Sequence, residues 1–500
     1  MPSLGTLASL KYFLPELTLV LTLLVVVAVD IALRGREDRR LGTILLALAG
    51  LVMAGVFTVL LQEAPQGALF SRMLVLDHFG LLFRFLFIVT ALLVLFLSVP
   101  SRELAGVNQG EFFALLLAVT VSMMWMATSI NLLMIYLALE MVSVGSYIMV
   151  GYLKGERLSN EASLKYILFG AVSTGTMLYG LSLLFGLTGT LDLYGIRAVL
   201  MNEGMLSQSG PALLFIVILV LAGIGFKTAA VPFHFWCPDV YTGAPTPVTA
   251  FLSVGPKVAG FAVLVRFFFG GMAQPAGDGS WQMVGVNWQA LLIGVSVATM
   301  TLGNIAALLQ TNLKRLLAYS SIAHAGYILM GAVVLSEEGI QAMLAYMVIY
   351  LFMNLGAFVV VMVIYDQLGS FDVKDYGGIW KRSPMLTIAM SIFLLSLMGI
   401  PPFAGFLAKF YVFAAVIRAG LGWFAVVGVL NSAIAVFYYM KVLKAMVIEE
   451  GATGDSSEIA IHPIYAGLLI VLLVPNVAAL VLWGYLDQIT EYSMKILETL

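Results

Sequence analysis

Lys227, Lys257 and Lys409 each lie within a long apolar run, and Glu140 lies within another. A charged side chain at the centre of a bilayer costs about 2.5–3.5 kcal/mol or more, so such residues mark ion or proton pathways unless a neighbour neutralises them. A desolvated ammonium can release its proton far below the ordinary lysine range, and a nearby carboxylate holds that proton on. Glu140 and Lys227 can form such a pair, and moving the carboxylate away would let Lys227 deprotonate. The plainer alternative is a static buried ion pair that fixes helix packing. Lys257, in SVGPKVAGF, is the natural next acceptor, and Lys409, beyond the prolines of GIPPFAGFLAKF, is the candidate exit. His234 and His324 titrate near neutrality and are possible relays between the lysines, as is Tyr438. Either histidine can equally be a hydrogen-bonded structural residue.

The elements that must hold these groups are membrane helices. The chain has 500 residues, of which 61% are hydrophobic and 10% charged, and its mean hydropathy is +1.03. Soluble chains are about 45–50% apolar and 25% charged, which places this one among all-α polytopic membrane proteins. A net charge of −2 gives no basic field for nucleic acid. The single cysteine, Cys237, excludes an intrachain disulfide and a cysteine-ligated cluster. Four scattered histidines have no metal spacing, no glycine-rich nucleotide loop follows a strand, and neither a cofactor nor a metal site is expected on this chain.

Apolar windows of about 20 residues predict about fourteen transmembrane helices, the first at 12–33 and the last at 463–485. The windows at 211–241 and 385–418 are too long for one straight crossing. Each has prolines near its middle, Pro232 in the first and Pro401 and Pro402 in the second, so both helices are expected to break there. Lys and Arg gather in alternate loops, which puts both termini outside and those loops inside a bacterial inner (plasma) membrane. Glu16 has no evident partner and Asp30 reads as a solvated helix end. Arg84 lies about a turn from its helix end, where it could snorkel to the interface.

GSYIMVG (145–151) and AGYILMG (325–331) align at an offset of about 180 residues, and at nearly the same offset Lys227 falls on Lys409 and one broken helix on the other. This predicts two five-helix repeats, 111–269 and 288–447, after a three-helix segment 1–110 and before a C-terminal helix and tail, 448–500. Five is odd, so the second copy is inserted upside down, a pattern that points to a mid-membrane pathway.

The run PFHFWCPDVYTGAPTPVTAFLSVGPKVAGF (232–261) resembles the signature of the antiporter-like membrane subunits of complex I, the proton-pumping NADH–quinone oxidoreductase. That superfamily also includes subunits of multi-subunit Na+/H+ antiporters and of membrane-bound hydrogenases. ALEMVSVGSYIMVGY (138–152) and GIPPFAGFLAKFYVF (399–413) are similar to its N-type branch. The likeness runs from about residue 111 to 444. It implies that Glu140, Lys227, Lys257 and Lys409 occupy the family's four proton-site positions, and the chain departs from the pattern at none of them. It also implies partners: neighbouring antiporter-like subunits, small membrane subunits, and a peripheral redox arm. That arm would carry the NADH, FMN, Fe–S and quinone chemistry. The expected function is proton translocation driven by redox chemistry on other chains. The alternative is a cation/proton antiporter subunit, which a lysine-dominated axis disfavours because ammonium groups repel Na+.

Overall fold

The computed structural model describes residues 4–36, 38–105, 107–450 and 458–494. Parts of the expected 448–500 segment, 451–457 and 495–500, lie outside the described residues. Sixteen helices carry the architecture: α1 (Leu14–Ala32), α2 (Asp38–Leu60), α3 (His78–Ser98), α4 (Gln109–Thr128), α5 (Leu132–Val150), α6 (Arg157–Thr188), α7 (Glu203–Thr228), α8 (Trp236–Gly243), α9 (Thr246–Val265), α10 (Trp288–Leu308), α11 (Leu313–Val333), α12 (Glu337–Leu368), α13 (Pro384–Met398), α14 (Ala404–Arg418), α15 (Gly422–Val447) and α16 (Pro463–Met494). Among the described residues, 13 helices are long and apolar enough to cross a membrane. The remaining expected crossing is shared by α13 and α14, which the second break separates.

Both breaks form where proline made them expected. Helix α7 stops at Thr228, Ala229 takes a positive φ of 56°, and the chain resumes as α8 at Trp236. The carbonyl of Phe226, released from the helical ladder, accepts the Trp236 indole N–H at 3.0 Å. Helix α13 stops at Met398, Gly399 turns with a φ of 84°, and α14 begins at Ala404. Val231–Pro232 and Pro401–Pro402 are both cis peptide bonds.

The same backbone device recurs in the two halves. Helices α6 and α12 each have 32 residues and end on a left-handed glycine, Gly189 and Gly369. Beyond each glycine the chain pairs with the start of an earlier helix. The bridges are Asn131 with Asp192 and Asn312 with Asp372, where the Leu132 N–H donates to Leu191 O and the Leu313 N–H to Phe371 O, each at 2.8 Å. The crossings between Asn131 and Asn312 are odd in number, so the two bridges lie on opposite faces of the bundle.

Helix α9 is buried along its whole length, with α11 and α12 packed around it. The outer helices turn Leu21, Val52, Val429 and Val481 outwards, as surfaces facing lipid do. Helices α10 and α11 approach closely because Gly303 and Gly326 face backbone. A Cβ on Gly303 would stand 2.6 Å from Ala323 N, and one on Gly326 2.6 Å from Met300 N. Small residues at such crossings are the usual route to tight packing in membranes.

Three charged residues differ from their sequence reading. Arg84 does not snorkel: its Nη2 lies 2.7 Å from Glu16 Oε1, and both side chains are fully buried. Glu16 therefore has a partner, supplied by α3 packing near α1. Asp30 is also buried rather than solvated. It accepts from Arg39 Nε at 2.8 Å and Nη2 at 2.7 Å, and from Asn108 Nδ2 at 3.1 Å. Removing one member of a buried pair leaves an uncompensated charge. Arg84→Ala should therefore lower stability by about 3–5 kcal/mol, and adding Glu16→Ala should recover much of the loss, both read from thermal unfolding of the purified protein.

Candidate proton-transfer site

Lys227 sits on the last turn of α7, just before the break. It is 1% exposed and its Nζ has no hydrogen-bond partner among the described residues. The Phe226 ring centroid lies 5.7 Å away, and Gly260 of α9 leaves room for its stem, since a Cβ there would lie 3.0 Å from Lys227 Cβ. Its position at a helix C-terminus suits a cation, because the carbonyl ends carry partial negative charge. Glu140, half-buried on α5, is the acid whose charge acts on it. The two make no direct ion-pair contact, so the close pair expected from sequence is not formed here and the interaction runs at longer range.

Lys257 lies midway along α9 and is 2% exposed. A lysine on a helix buried end to end has no interface within reach of its stem. Its Nζ donates to Ser321 Oγ of α11 at 2.6 Å and to Cys237 Sγ of α8 at 3.7 Å, with the Tyr241 ring centroid at 5.4 Å. The Ser321 hydroxyl donates in turn to Ala318 O at 2.8 Å. Three side chains from two elements therefore fix this ammonium, and one of those elements is the second half of the broken helix.

One turn further along α11, His324 is held from both sides. Its Nδ1 lies 2.8 Å from Tyr346 Oη and its Nε2 3.3 Å from Tyr439 Oη, and the Tyr439 hydroxyl also shares a short hydrogen bond with Ser320. Lys409, 4% exposed, reaches back across the second break and donates to Met398 O, the last carbonyl of α13, at 2.8 Å. The Tyr327 ring centroid lies 4.6 Å from its Nζ. Tyr327 Oη accepts from Asn304 Nδ2 at 3.0 Å, and Asn304 Oδ1 accepts from Tyr438 Oη at 3.1 Å. Lys257, His324 and Lys409 are thus spaced along one buried polar line with hydroxyls and an amide between them.

His234 makes no hydrogen bond to that line among the described residues. It lies in the α7–α8 break, its Nδ1 is buried without a partner, and it lines a cleft of about 480 Å³ with Lys165, Asp239, Arg315 and Tyr319. Asp239 there joins Lys165 at 2.7 Å and Arg315 at 2.5 Å. Tyr438 is buried and donates to Asn304, but the tyrosine that touches His324 is its neighbour Tyr439. Adjacent helical residues point about 100° apart, so only the packed structure separates them. Ser321, Asn304 and Tyr346 carry no signal in the sequence beyond being polar in apolar runs. Pro232, Pro401 and Pro402 fall within the breaks as expected. Among the described residues no group of three or more His, Cys, Asp or Glu could hold a metal ion.

The family of NADH:quinone oxidoreductase and Mrp antiporter transmembrane subunits matches residues 129–435, the segment that contains all four proton-site candidates. The chain belongs to this family. It is 41% identical over 505 aligned positions to subunit N of the NADH-quinone oxidoreductase of Anaeromyxobacter sp. (strain Fw109-5), covering 98% of this chain and 97% of that one. It is 40% identical to subunit 2 of the NAD(P)H-quinone oxidoreductase of Thermosynechococcus vestitus, covering 93% and 90%. Among solved structures it matches a chain of respiratory complex I from Thermus thermophilus with a TM-score of 0.75 and 30% identity, over 93% of this chain and 98% of that one. A chain of the Mrp complex from Dietzia sp. DQ12-45-1b shares the fold, with a TM-score of 0.83 at 21% identity, over 98% of each chain.

The geometry around His324 gives one expected outcome. Tyr439→Phe removes the hydroxyl shared by Ser320 and His324 Nε2, leaving two buried polar groups unmatched. It should destabilise by about 1–3 kcal/mol, read as a lower thermal midpoint, whereas Tyr438→Phe should leave the His324 contacts intact in a structure of the variant.

Proposed function

We propose that the chain is a proton-translocating membrane subunit of a respiratory NADH–quinone oxidoreductase. The observation that carries this reading is the buried line Lys257–Ser321, His324–Tyr439 and Tyr327–Lys409, in which the titratable groups are joined to neutral hydroxyls, rings and carbonyls rather than to acids. An ammonium paired tightly to a carboxylate is a structural fixture. One held by a hydroxyl or a lone carbonyl can gain and lose its proton without leaving a bare acid behind. Lys227 and Glu140 form the switch at one end: motion of Glu140 towards or away from the α7 break changes the field at Lys227 and so its hold on a proton. The hinge beside it supplies the freedom to move.

In this reading the chain supplies only the proton path. The electron donor, FMN, Fe–S clusters and quinone belong to partner chains, and neighbouring antiporter-like subunits and a peripheral redox arm complete the complex. The protein lies in a bacterial plasma membrane with both termini outside, in keeping with the bias of Lys and Arg towards alternate loops. The division into repeats 111–269 and 288–447, flanked by 1–110 and 448–500, is part of the same proposal. The paired breaks and the matching Asn–Asp bridges on opposite faces support it.

The test is substitution in the intact complex, with protons moved per quinone reduced measured in sealed vesicles. Lys227→Ala and Lys409→Ala should each lower that ratio while assembly is kept, and proton flux through this chain should fall about 100-fold. A normal ratio in both variants would overturn the reading. Transport that rises with added Na+ would favour a cation/proton antiporter.

A further inference from the structure

Lys314 is a buried lysine that the line described above does not use. It stands on the first turn of α11 and is 1% exposed. Its Nζ donates to Ala244 O at 2.5 Å and lies 4.7 Å from the Phe371 ring centroid. Ala244 opens the turn that links α8 to α9. At the far end of that turn, Glu103 Oε2 accepts the Thr246 N–H at 2.7 Å. Glu103 is half-buried in the loop between α3 and α4, and it is the acid whose charge acts on Lys314. An acid within reach of solvent and a buried amine thus hold the same three residues, 244–246.

The helix that carries Lys314, α11, and the helix capped by its acceptor Ala244, α8, both also contact Lys257. Along α11, Ser321 lies seven residues beyond Lys314, on the same helix face and about 10 Å further in, and it is the acceptor of the Lys257 ammonium. Along α8, Tyr241 lies about one turn before Ala244, and its ring is the one beside Lys257. Tyr241 is fully buried and its hydroxyl has no hydrogen-bond partner. A buried polar group of that kind is uncommon in a packed interior, and here it stands beside Lys257 and one turn before the residue that accepts from Lys314.

We propose that Lys314 is the proton-loading residue of this chain, receiving protons through Glu103 and passing them to Lys257 between α8 and α11. The inference rests on the reading that Lys257 carries protons, and it gives that line an entrance on the face that bears the α3–α4 loop. The transfer balances simply. An N–H bond of the Lys314 ammonium breaks as one forms on the Lys257 amine, by way of the Tyr241 and Ser321 hydroxyls. The Glu103 carboxyl then returns a proton to Lys314 and is itself reprotonated from water.

The competing role for Lys314 is static, a cation that caps the Ala244 carbonyl. Arginine separates the two, because it keeps the charge and the donors but does not give up its proton. The experiment measures protons moved per quinone reduced by the intact complex in sealed vesicles, for Lys314→Arg, Glu103→Gln and, beside them, Lys257→Met. Quinone reduction with the gradient collapsed verifies assembly. Lys314→Arg should cut the flux through this chain about 100-fold, lowering the ratio as far as Lys257→Met does, and Glu103→Gln should lower it too. A normal ratio in Lys314→Arg beside a depressed one in Lys257→Met overturns the proposal. A normal ratio in Lys257→Met overturns the underlying reading instead. If Lys314→Arg fails to assemble, Glu103→Gln decides by the same ratio, since its amide oxygen can still accept the Thr246 N–H.

Discussion

Placing an amine in a low-dielectric interior is the constraint to which the rest of the fold responds. Taking an ammonium out of water costs several kcal/mol even after the protein relaxes, and this chain does so at Lys227, Lys257, Lys314 and Lys409. Among the described residues, none of the four is met by a carboxylate at ion-pair distance. The compensation is weaker and spread out: a serine hydroxyl and a thiol at Lys257, carbonyls at Lys314 and Lys409, aromatic faces at all four. Direct amine- or guanidinium-to-carboxylate pairing is kept for other buried sites. Glu16 with Arg84, and Asp77 with Arg266, are buried ion pairs.

The broken helices follow from the same constraint. An unbroken membrane helix offers its backbone carbonyls to no one, whereas a break exposes them in the middle of the bundle. At the second break, Met398 O is the acceptor of Lys409, so the interruption that weakens the helix provides the lysine with a hydrogen bond. At the first, the Trp236 indole takes Phe226 O, and Lys227 is left to the field of the helix end and of Glu140. Helix α9, shielded from lipid on every side, keeps Lys257 from reaching an interface. Its neighbours α10 and α11 approach as closely as their facing glycines allow.

Much of this was legible in the sequence because ionisable and proline residues stand out against an apolar background. Lys227, Lys257, Lys409 and both breaks were readable from position alone, and the number of crossings from window length. The partners were not readable. Ser321, Asn304 and Tyr346 are ordinary polar residues whose importance comes from segments distant in sequence that pack beside them. Tyr438 and Tyr439 are adjacent, and only the helix rotation assigns one to Asn304 and the other to His324. Arg84 looked able to reach the interface but is sealed by Glu16, and nothing in the sequence shows that Lys314, at the start of α11, is covered by the α8–α9 turn and Phe371.

The central claim is that the charge interaction between Glu140 on α5 and Lys227 beside the first break changes during turnover. Infrared difference spectra of the intact complex during turnover, with the Glu140 carboxylate band identified by its loss in Glu140→Gln, address it directly. The account predicts a Glu140 band that shifts on turnover in the native chain and stays still in Lys227→Met. A Glu140 band that is identical at rest and during pumping in the native chain would contradict it.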